Sequence, residues 1–275
     1  MAAIKALVPW FGAAREQAGR IAAHLDGAAW LGVPFAGGMC ELAEVKARAI
    51  VVNDLHRHVV NLARVVADPE MHAELVRRLE SLPFHPDVLA DAQRECLELF
   101  EWNGFSEEPS LRSAVAYFVT QWMGRSGKAG TEDEFRGGLS VRWTSSGGSS
   151  IRRYRSAVES LDEWHEILRR CEFATLDFAD FLSRVVDHEG HVVYADPPWP
   201  ELGDGYRHGF APEQHADLAR RLTAWTKTKA VVRINDHPLV RSLYREADGW
   251  RWIPAPWSRN QANREVREVL LVREP

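Results

Sequence analysis

The chain has 275 residues, 45% of them hydrophobic, enough for one large core or one core with a smaller insert. Its three cysteines, Cys40, Cys96 and Cys171, are odd in number and far apart, which argues against a disulfide framework or a zinc cluster and for a reducing, cytoplasmic setting. A formal charge of −5 argues against a generally basic nucleic-acid coat, and no apolar run approaches membrane length, so no membrane partner is expected.

Residues 4 to 14 form an apolar lead-in with a turn at Gly12, and a helix is predicted from Arg15 to about Leu25, with Ile21, Ala22 and Leu25 at helical spacing. A short strand, Ala29 to Val33, follows. The turn Pro34-Phe35-Ala36-Gly37-Gly38 then leads into a helical pattern from Met39. Glycines let the backbone approach a ligand closely and a helix start presents free N–H groups, so this unit can hold a ligand, although a plain tight turn explains the same residues. A second strand, Ala49 to Val52, ends in Asn53-Asp54 before a helix whose inner face carries Leu55, Val59, Leu62 and Val66. An acid at that place can accept the hydroxyls of a ribose, or either residue can cap the helix. Glycine turn and acid together favour a nucleoside-type cofactor.

Residues 69 to 124 are mostly helical in pattern, with breaks at Pro83-Phe84-His85-Pro86 and around Asn103 to Pro109. The character changes between Phe135 and Val158. There lie five arginines (Arg136, Arg142, Arg152, Arg153 and Arg155), no Asp or Glu, a Gly/Ser/Thr-rich stretch from Thr144 to Ser150, and the aromatics Trp143 and Tyr154. Arginine with small hydroxyl residues and exposed aromatics is what phosphate contact and base readout use, and a solvated loop is the competing explanation. A helix from Ala157 to Arg170, a strand from Glu172 to Leu176 and Asp177-Phe178 come next.

The run His191-Val192-Val193-Tyr194-Ala195 reads as a buried strand bounded by Gly190 and Pro197. Asp196, Pro197, Pro198 and Trp199 leave its carboxyl end, the edge where open α/β sheets bind ligands. Proline has no N–H and a fixed φ, so Pro197 and Pro198 stiffen the backbone and leave carbonyls to accept from a ligand. The Asp196 carboxylate is a second acceptor and Trp199 a flat stacking face, which suits a planar ring bearing an exocyclic amine. A Gly-containing loop with Tyr206 and Phe210, a helix from Pro212 to about Trp225, a strand from Lys229 to Ile234, a helix from Leu239 to Glu246, a strand near Trp250 and a last strand from Glu268 to Val272 complete a mostly parallel α/β sheet. His56 and His58 stand two apart on a helix, and His188-Glu189-Gly190-His191 lacks metalloprotease spacing, so no metal is called for.

Pro34-Phe35-Ala36-Gly37-Gly38, Asn53-Asp54-Leu55 with Val60-Asn61-Leu62, Asp177-Phe178 and Tyr194-Ala195-Asp196-Pro197-Pro198-Trp199, in this order, resemble the Dam-type (class D12) adenine-specific DNA methyltransferases over nearly the whole chain. The resemblance implies a Rossmann-like methyltransferase sheet with a mainly helical target-recognition insert. The catalytic domain would comprise 1–68 and 171–275, and the insert 69–170, with its recognition segment at about 125–158. It implies S-adenosylmethionine as methyl donor and transfer to the 6-amino group of adenine in a specific sequence of double-stranded DNA, with the base flipped. Trp10, Phe35, Gly37, Gly38, Asp54, Asp177, Phe178 and Asp196 would face the cofactor. Asp196 and a carbonyl of Pro197 or Pro198 would hold the target amine, Trp199 would stack on the base, and the five arginines would contact DNA.

Three positions depart from the family pattern. Trp10-Phe11-Gly12-Ala13-Ala14 lacks the usual Lys, with Arg15 as its nearest substitute, Trp199 stands where Tyr is usual, and Arg233 where a small Ser is common. Methylation of RNA adenine or of the 4-amino group of DNA cytosine, and a degenerate, non-catalytic nucleic-acid-binding fold, are the alternatives. A monomer is expected, with room for a cognate restriction nuclease.

Overall fold

Nearly continuous apolar runs such as His191–Ala195 and Lys229–Asn235 can be buried on both faces only inside a parallel sheet covered by helices. The computed structural model, which describes residues 6–13, 16–101, 107–125, 128–141, 149–255, 258–259 and 265–275, places them there. The strands are β1 (Trp30–Val33), β2 (Ala49–Asn53), β3 (Cys171–Ala174), β4 (His191–Ala195), β5 (Lys229–Asn235), β6 (Arg251–Pro254), the two-residue pair β7 (Ser258–Arg259) and β8 (Glu265–Val266), and β9 (Glu268–Arg273). The helices are α1 (Ala18–Leu25), α2 (Arg57–Ala67), α3 (Pro69–Ser81), α4 (Pro86–Glu101), α5 (Leu111–Met123), α6 (Ser150–Glu159), α7 (Leu161–Leu168), α8 (Phe178–Arg184), α9 (Pro212–Ala224) and α10 (Pro238–Leu243).

Seven strands form one sheet in the order β3-β2-β1-β4-β5-β9-β6. β2, β1, β4 and β5 run parallel to one another, whereas β9 is antiparallel to both β5 and β6. The order reverses between β1 and β4. That is the switch point of a doubly wound sheet, outside whose strand carboxyl ends ligands bind.

The chain divides into two compact units. One consists of Ala14–Ala36, Glu44–Leu55 and Glu172–Pro275 and contains the sheet. Its core joins Val193, Ala195, Val232, Ile234 and Leu271 to Phe181 of α8, Leu218 and Leu222 of α9, and Val240 of α10. The other consists of Met1–Ala13, Gly37–Ala43 and His56–Cys171 and is helical. α5 buries nearly its whole circumference, with Tyr117, Phe118, Val119, Trp122 and Met123 all inside, as a helix at the centre of a bundle must.

Several local expectations change; Leu55, expected on the inner face of α2, lies before that helix and is exposed. The helical pattern from Met39 becomes only a 3-10 turn, Cys40–Ala43, because Gly37 (φ 47°) and Met39 (φ 58°) both adopt the left-handed conformation, which a right-handed helix cannot include. The expected helix from Ala157 to Arg170 is two helices that break at Ser160, whose hydroxyl donates to the carbonyl of Ala157. Neither Asn53 nor Asp54 caps α2, since the N-cap position falls to His56. Among the described residues no helix is long and apolar enough to cross a membrane.

Candidate active site

In the sheet unit, the side chains singled out from the sequence emerge at strand carboxyl ends. Phe35 follows β1, Asp54 follows β2, Asp177 and Phe178 follow β3, and Asp196 to Trp199 follow β4. A fully buried strut, Asn53, ties three of these ends together. Its amide nitrogen donates to the carbonyls of Pro34 and Leu176, both at 3.0 Å, and its oxygen accepts from the Leu176 N–H at 2.8 Å. The Ala36 N–H donates to the Asn53 carbonyl at 3.0 Å, so the chain after β1 is held against the end of β2. The sequence places Asn53 in a motif and as a possible cap but gives no sign of this brace, because Pro34 and Leu176 are remote from it in the chain.

Phe35, Phe178 and Phe210 form an aromatic cluster. Phe35 stacks on Phe178 with centroids 5.8 Å apart, and Phe210 meets both edge-on at 5.5 Å and 5.0 Å. Phe210 comes from the loop after β4 and was marked in the sequence only as a loop aromatic. Asp177 has a local duty as well, accepting from the Ala179 N–H at 2.8 Å as the N-cap of α8.

The Asp196 carboxylate is bonded through both of its oxygens. Its Oδ2 accepts from Arg233 Nη1 at 2.8 Å, and its Oδ1 from the Trp199 indole N–H at 3.2 Å. The Arg233 guanidinium also donates to Glu268 Oε2, from Nη2 at 3.0 Å and Nε at 3.2 Å, and lies 4.8 Å from the centroid of the Trp199 ring. Burial raises the Asp196 carboxyl above its ordinary pKa, while Arg233 and the Trp199 hydrogen bond pull it back. Burial also works against the Arg233 charge, but Asp196 and Glu268 outweigh it and hold the guanidinium above its ordinary pKa. Burial raises the phenol of Tyr206, and the charges of Asp196 and Asp54 push it the same way, so Tyr206 is neutral beside both carboxylates.

The backbone after Trp199 is shaped by tight contacts. Glu201 is left-handed (φ 63°), the Trp199 carbonyl accepts from the Gly203 N–H at 2.7 Å, and a Cβ at Gly203 would lie 2.9 Å from Pro198 Cβ. Gly203 thus lets the loop close on the second proline.

In the helical unit, Trp10 fills the space that three glycines leave. A Cβ at Gly37 would sit 3.0 Å from the indole nitrogen, one at Gly38 2.9 Å from both Trp10 Cβ and the Val8 carbonyl, and one at Gly130 2.5 Å from the ring. The glycine turn therefore has a packing reason of its own. His56 meets the Trp10 ring edge-on at 5.4 Å and contacts Glu134 at 2.6 Å, whose other oxygen accepts from the Gly130 N–H.

The arginine segment is partly helical. α6 carries Arg152 and Arg155 exposed, and Arg136 is exposed before it. Arg153 is different, because its guanidinium donates to the carbonyls of Trp122 and Gly124 at 3.3 and 3.2 Å and so closes the end of α5. Tyr154, expected as an exposed aromatic, is only 3% exposed and donates its hydroxyl hydrogen to the Leu79 carbonyl at 3.0 Å, since it falls on the inner face of α6 with Ala157 and Val158. Arg142, Trp143, the stretch 144–148 and Arg15 lie outside the described residues.

Among known proteins, the family described as D12 class N6 adenine-specific DNA methyltransferase matches this chain over residues 10–259. No curated protein matches the sequence. Among solved structures the chain is similar to the crystal structure of a mutant of MtNAS, with 12% identity, 77% of this chain and 80% of that chain covered, and a TM-score of 0.23. The family match spans nearly the whole chain, and with the Rossmann-like sheet beneath it the protein belongs to the D12 class N6 adenine-specific DNA methyltransferases, enzymes that methylate adenine in DNA.

Proposed function

We propose that this enzyme takes S-adenosylmethionine as its methyl donor and acts on the 6-amino group of an adenine turned out of the duplex within a specific DNA sequence. The observation that carries this reading is the Asp196-Pro197-Pro198-Trp199 turn at the end of β4, on the strand beside β1 where the sheet order reverses. The residues present fit an adenosine-bearing donor. The cluster of Phe35, Phe178 and Phe210 suits the face of its purine, and the carboxylates of Asp54 and Asp177, at neighbouring strand ends, suit ribose hydroxyls and an exocyclic amine. Trp10, Gly37 and Gly38 carry their assignment from the family motif. When bound, the donor supplies an electrophilic methyl group on sulfur.

The chain's own residues orient the acceptor. An ionised carboxylate has about four lone-pair sites, so Asp196 can take an N–H of the target amine while Arg233 and Trp199 stay bonded to it. A second N–H goes to a carbonyl of Pro197 or Pro198. Together these bonds draw the nitrogen lone pair out of conjugation and aim it at the methyl group, a catalysis by orientation and electrostatics. Trp199 holds the ring by stacking, which a base taken out of the duplex requires. Arg136, Arg152 and Arg155, exposed in the helical unit, contact phosphates, and Arg142 is assigned with them from the sequence.

The test is incubation with labelled S-adenosylmethionine and mixed-sequence duplex DNA, then digestion to nucleosides. Label in N6-methyl-2′-deoxyadenosine is expected. Label confined to a cytosine derivative, or none, would overturn the reading.

A further inference from the structure

We infer that Arg233 is a positioning residue for methyl transfer, which, anchored on Glu268, fixes the orientation and charge of the Asp196 carboxylate and supports the Trp199 ring. This rests on the reading above, in which Asp196 receives the target amine.

Strand register brings the three side chains together. Ala195 of β4 pairs with Val232 of β5, so Asp196 comes level with Arg233. Arg233 pairs with Leu270 of β9, and Glu268 lies two residues along that strand, hence on the same face. The residues therefore form a row across β4, β5 and β9, with Arg233, only 5% exposed, in the middle. A guanidinium held by Glu268 through two nitrogens cannot rotate freely, so it presents Nη1 to Asp196 in one direction. Asp196, whose side chain is 21% exposed, has its far oxygen tied back and its near oxygen turned toward Trp199. Trp199 rests over the guanidinium and bonds to the same carboxylate, so its ring plane is set before any base arrives.

Arg233 also balances charge. One arginine between two carboxylates is outnumbered, and without it Asp196 and Glu268 would repel and one would take up a proton. A protonated Asp196 accepts poorly and could not draw on the amine. The titratable groups acting on this carboxylate or on its partners are Arg233 on β5, Glu268 on β9 and Tyr206 in the loop after β4, with Asp54 acting on Tyr206 and Tyr194 on Arg233. Among the described residues, Arg233 is the cation bonded to Asp196. Its size, out of place for a position that commonly holds a small serine in the family, is explained by this bridge.

The experiment compares kcat against pH for Arg233→Met, Arg233→Lys and Glu268→Gln on the full-length enzyme, with DNA at saturation and folding checked by thermal melting. Arg233→Met should lower kcat on the order of 10- to 100-fold, with little change in KM for DNA. Its acidic limb should move up by about 1–3 pH units, because the cation that stabilised the ionised form is gone. Arg233→Lys should restore most of the limb but not the full rate, since lysine keeps the charge and loses the planar fork. Glu268→Gln should move the limb the other way, because it removes a negative charge facing Asp196. If Arg233→Met folds poorly, the downward shift of the limb in Glu268→Gln and the lowered kcat of Arg233→Lys at a nearly wild-type limb still decide. A wild-type limb in Glu268→Gln together with a wild-type kcat in Arg233→Lys would overturn the inference. Asp196→Ala separates the two levels of the argument: full activity there overturns the Asp196 reading itself, whereas an inactive Asp196→Ala beside unshifted Arg233 and Glu268 variants overturns only the role of Arg233.

Discussion

At the scale of single residues, the Asp196 carboxylate concentrates the chemistry. As the proposed acceptor of the target amine, it is not needed to hold the donor's purine, for which Phe35 and Phe178 are the candidates. Asp196→Ala should therefore reduce single-turnover methylation at least 100-fold, while calorimetric affinity for S-adenosylmethionine changes only a few-fold. Retained turnover would refute the assignment. Trp199→Phe makes a finer cut, because it keeps an aromatic ring and removes only the N–H that donates to Asp196 Oδ1. Its rate should fall by about one order of magnitude, the worth of one hydrogen bond, and less than that of Trp199→Ala; equal losses would mean that stacking contributes nothing. The Asp-Pro-Pro-Trp turn was legible in the sequence, because its chemistry lies in four consecutive residues. The ion pair beside it was not, since Arg233 is 37 residues from Asp196 and 35 from Glu268, and only sheet register makes them neighbours.

At the scale of elements, each local motif proves to serve its own unit before any ligand. Gly130 is left-handed (φ 82°) and its missing Cβ would lie 2.5 Å from the Trp10 ring, so Gly130→Ala should cost about 1–3 kcal/mol in urea unfolding. Gly138→Ala, where a Cβ meets nothing within 4 Å, should fall within about 0.5 kcal/mol of wild type and serves as the control. If the two match, Trp10 does not pack on Gly130 as described. On α6, exposure separates the arginines. Replacing Arg152 and Arg155 by Gln should weaken DNA binding and reduce the slope of log K against log salt by about 0.9 for each phosphate that is no longer neutralised. Arg153→Gln should mainly destabilise the end of α5, where its guanidinium binds two carbonyls. An unchanged slope in the double variant would move the DNA interface elsewhere. The arginines are visible in the sequence as a cluster, but their division into exposed and structural members, like the burial of Tyr154, depends on which face of α6 turns inward.

At the scale of the whole molecule, acid should weaken the fold in two stages. His215 on α9 is 1% exposed, neither ring nitrogen has a hydrogen-bond partner among the described residues, and burial lowers its pKa to about 4. The folded state thus excludes a proton that the unfolded chain accepts near pH 6.5. The associated stability is complete above that pH and is lost as pH falls toward 4, by on the order of 3 kcal/mol in all. Asp187 acts lower on the scale. Burial opposes its charge, but the N–H groups of Thr226, Lys227 and Thr228 and the Thr226 hydroxyl outweigh that and depress its pKa, so its contribution is present above the usual carboxylate range and lost as pH falls below it. Melting temperature should decline from pH 6.5 to 4 and again below 4. His215→Leu should flatten the first decline and Asp187→Asn the second; a wild-type profile in both would refute the assignment. The amino-acid sequence by itself determined the class of sheet, most of its strands and the order of the chemical motifs, because apolar periodicity and turn residues act over a few neighbours in the chain. Tertiary structure alone decided that β9 enters the sheet antiparallel beside β5, that Asn53 braces three strand ends, and that Arg233 bridges Glu268 to Asp196. Those are contacts between distant segments, fixed by strand order and register, and no local pattern of residues encodes either.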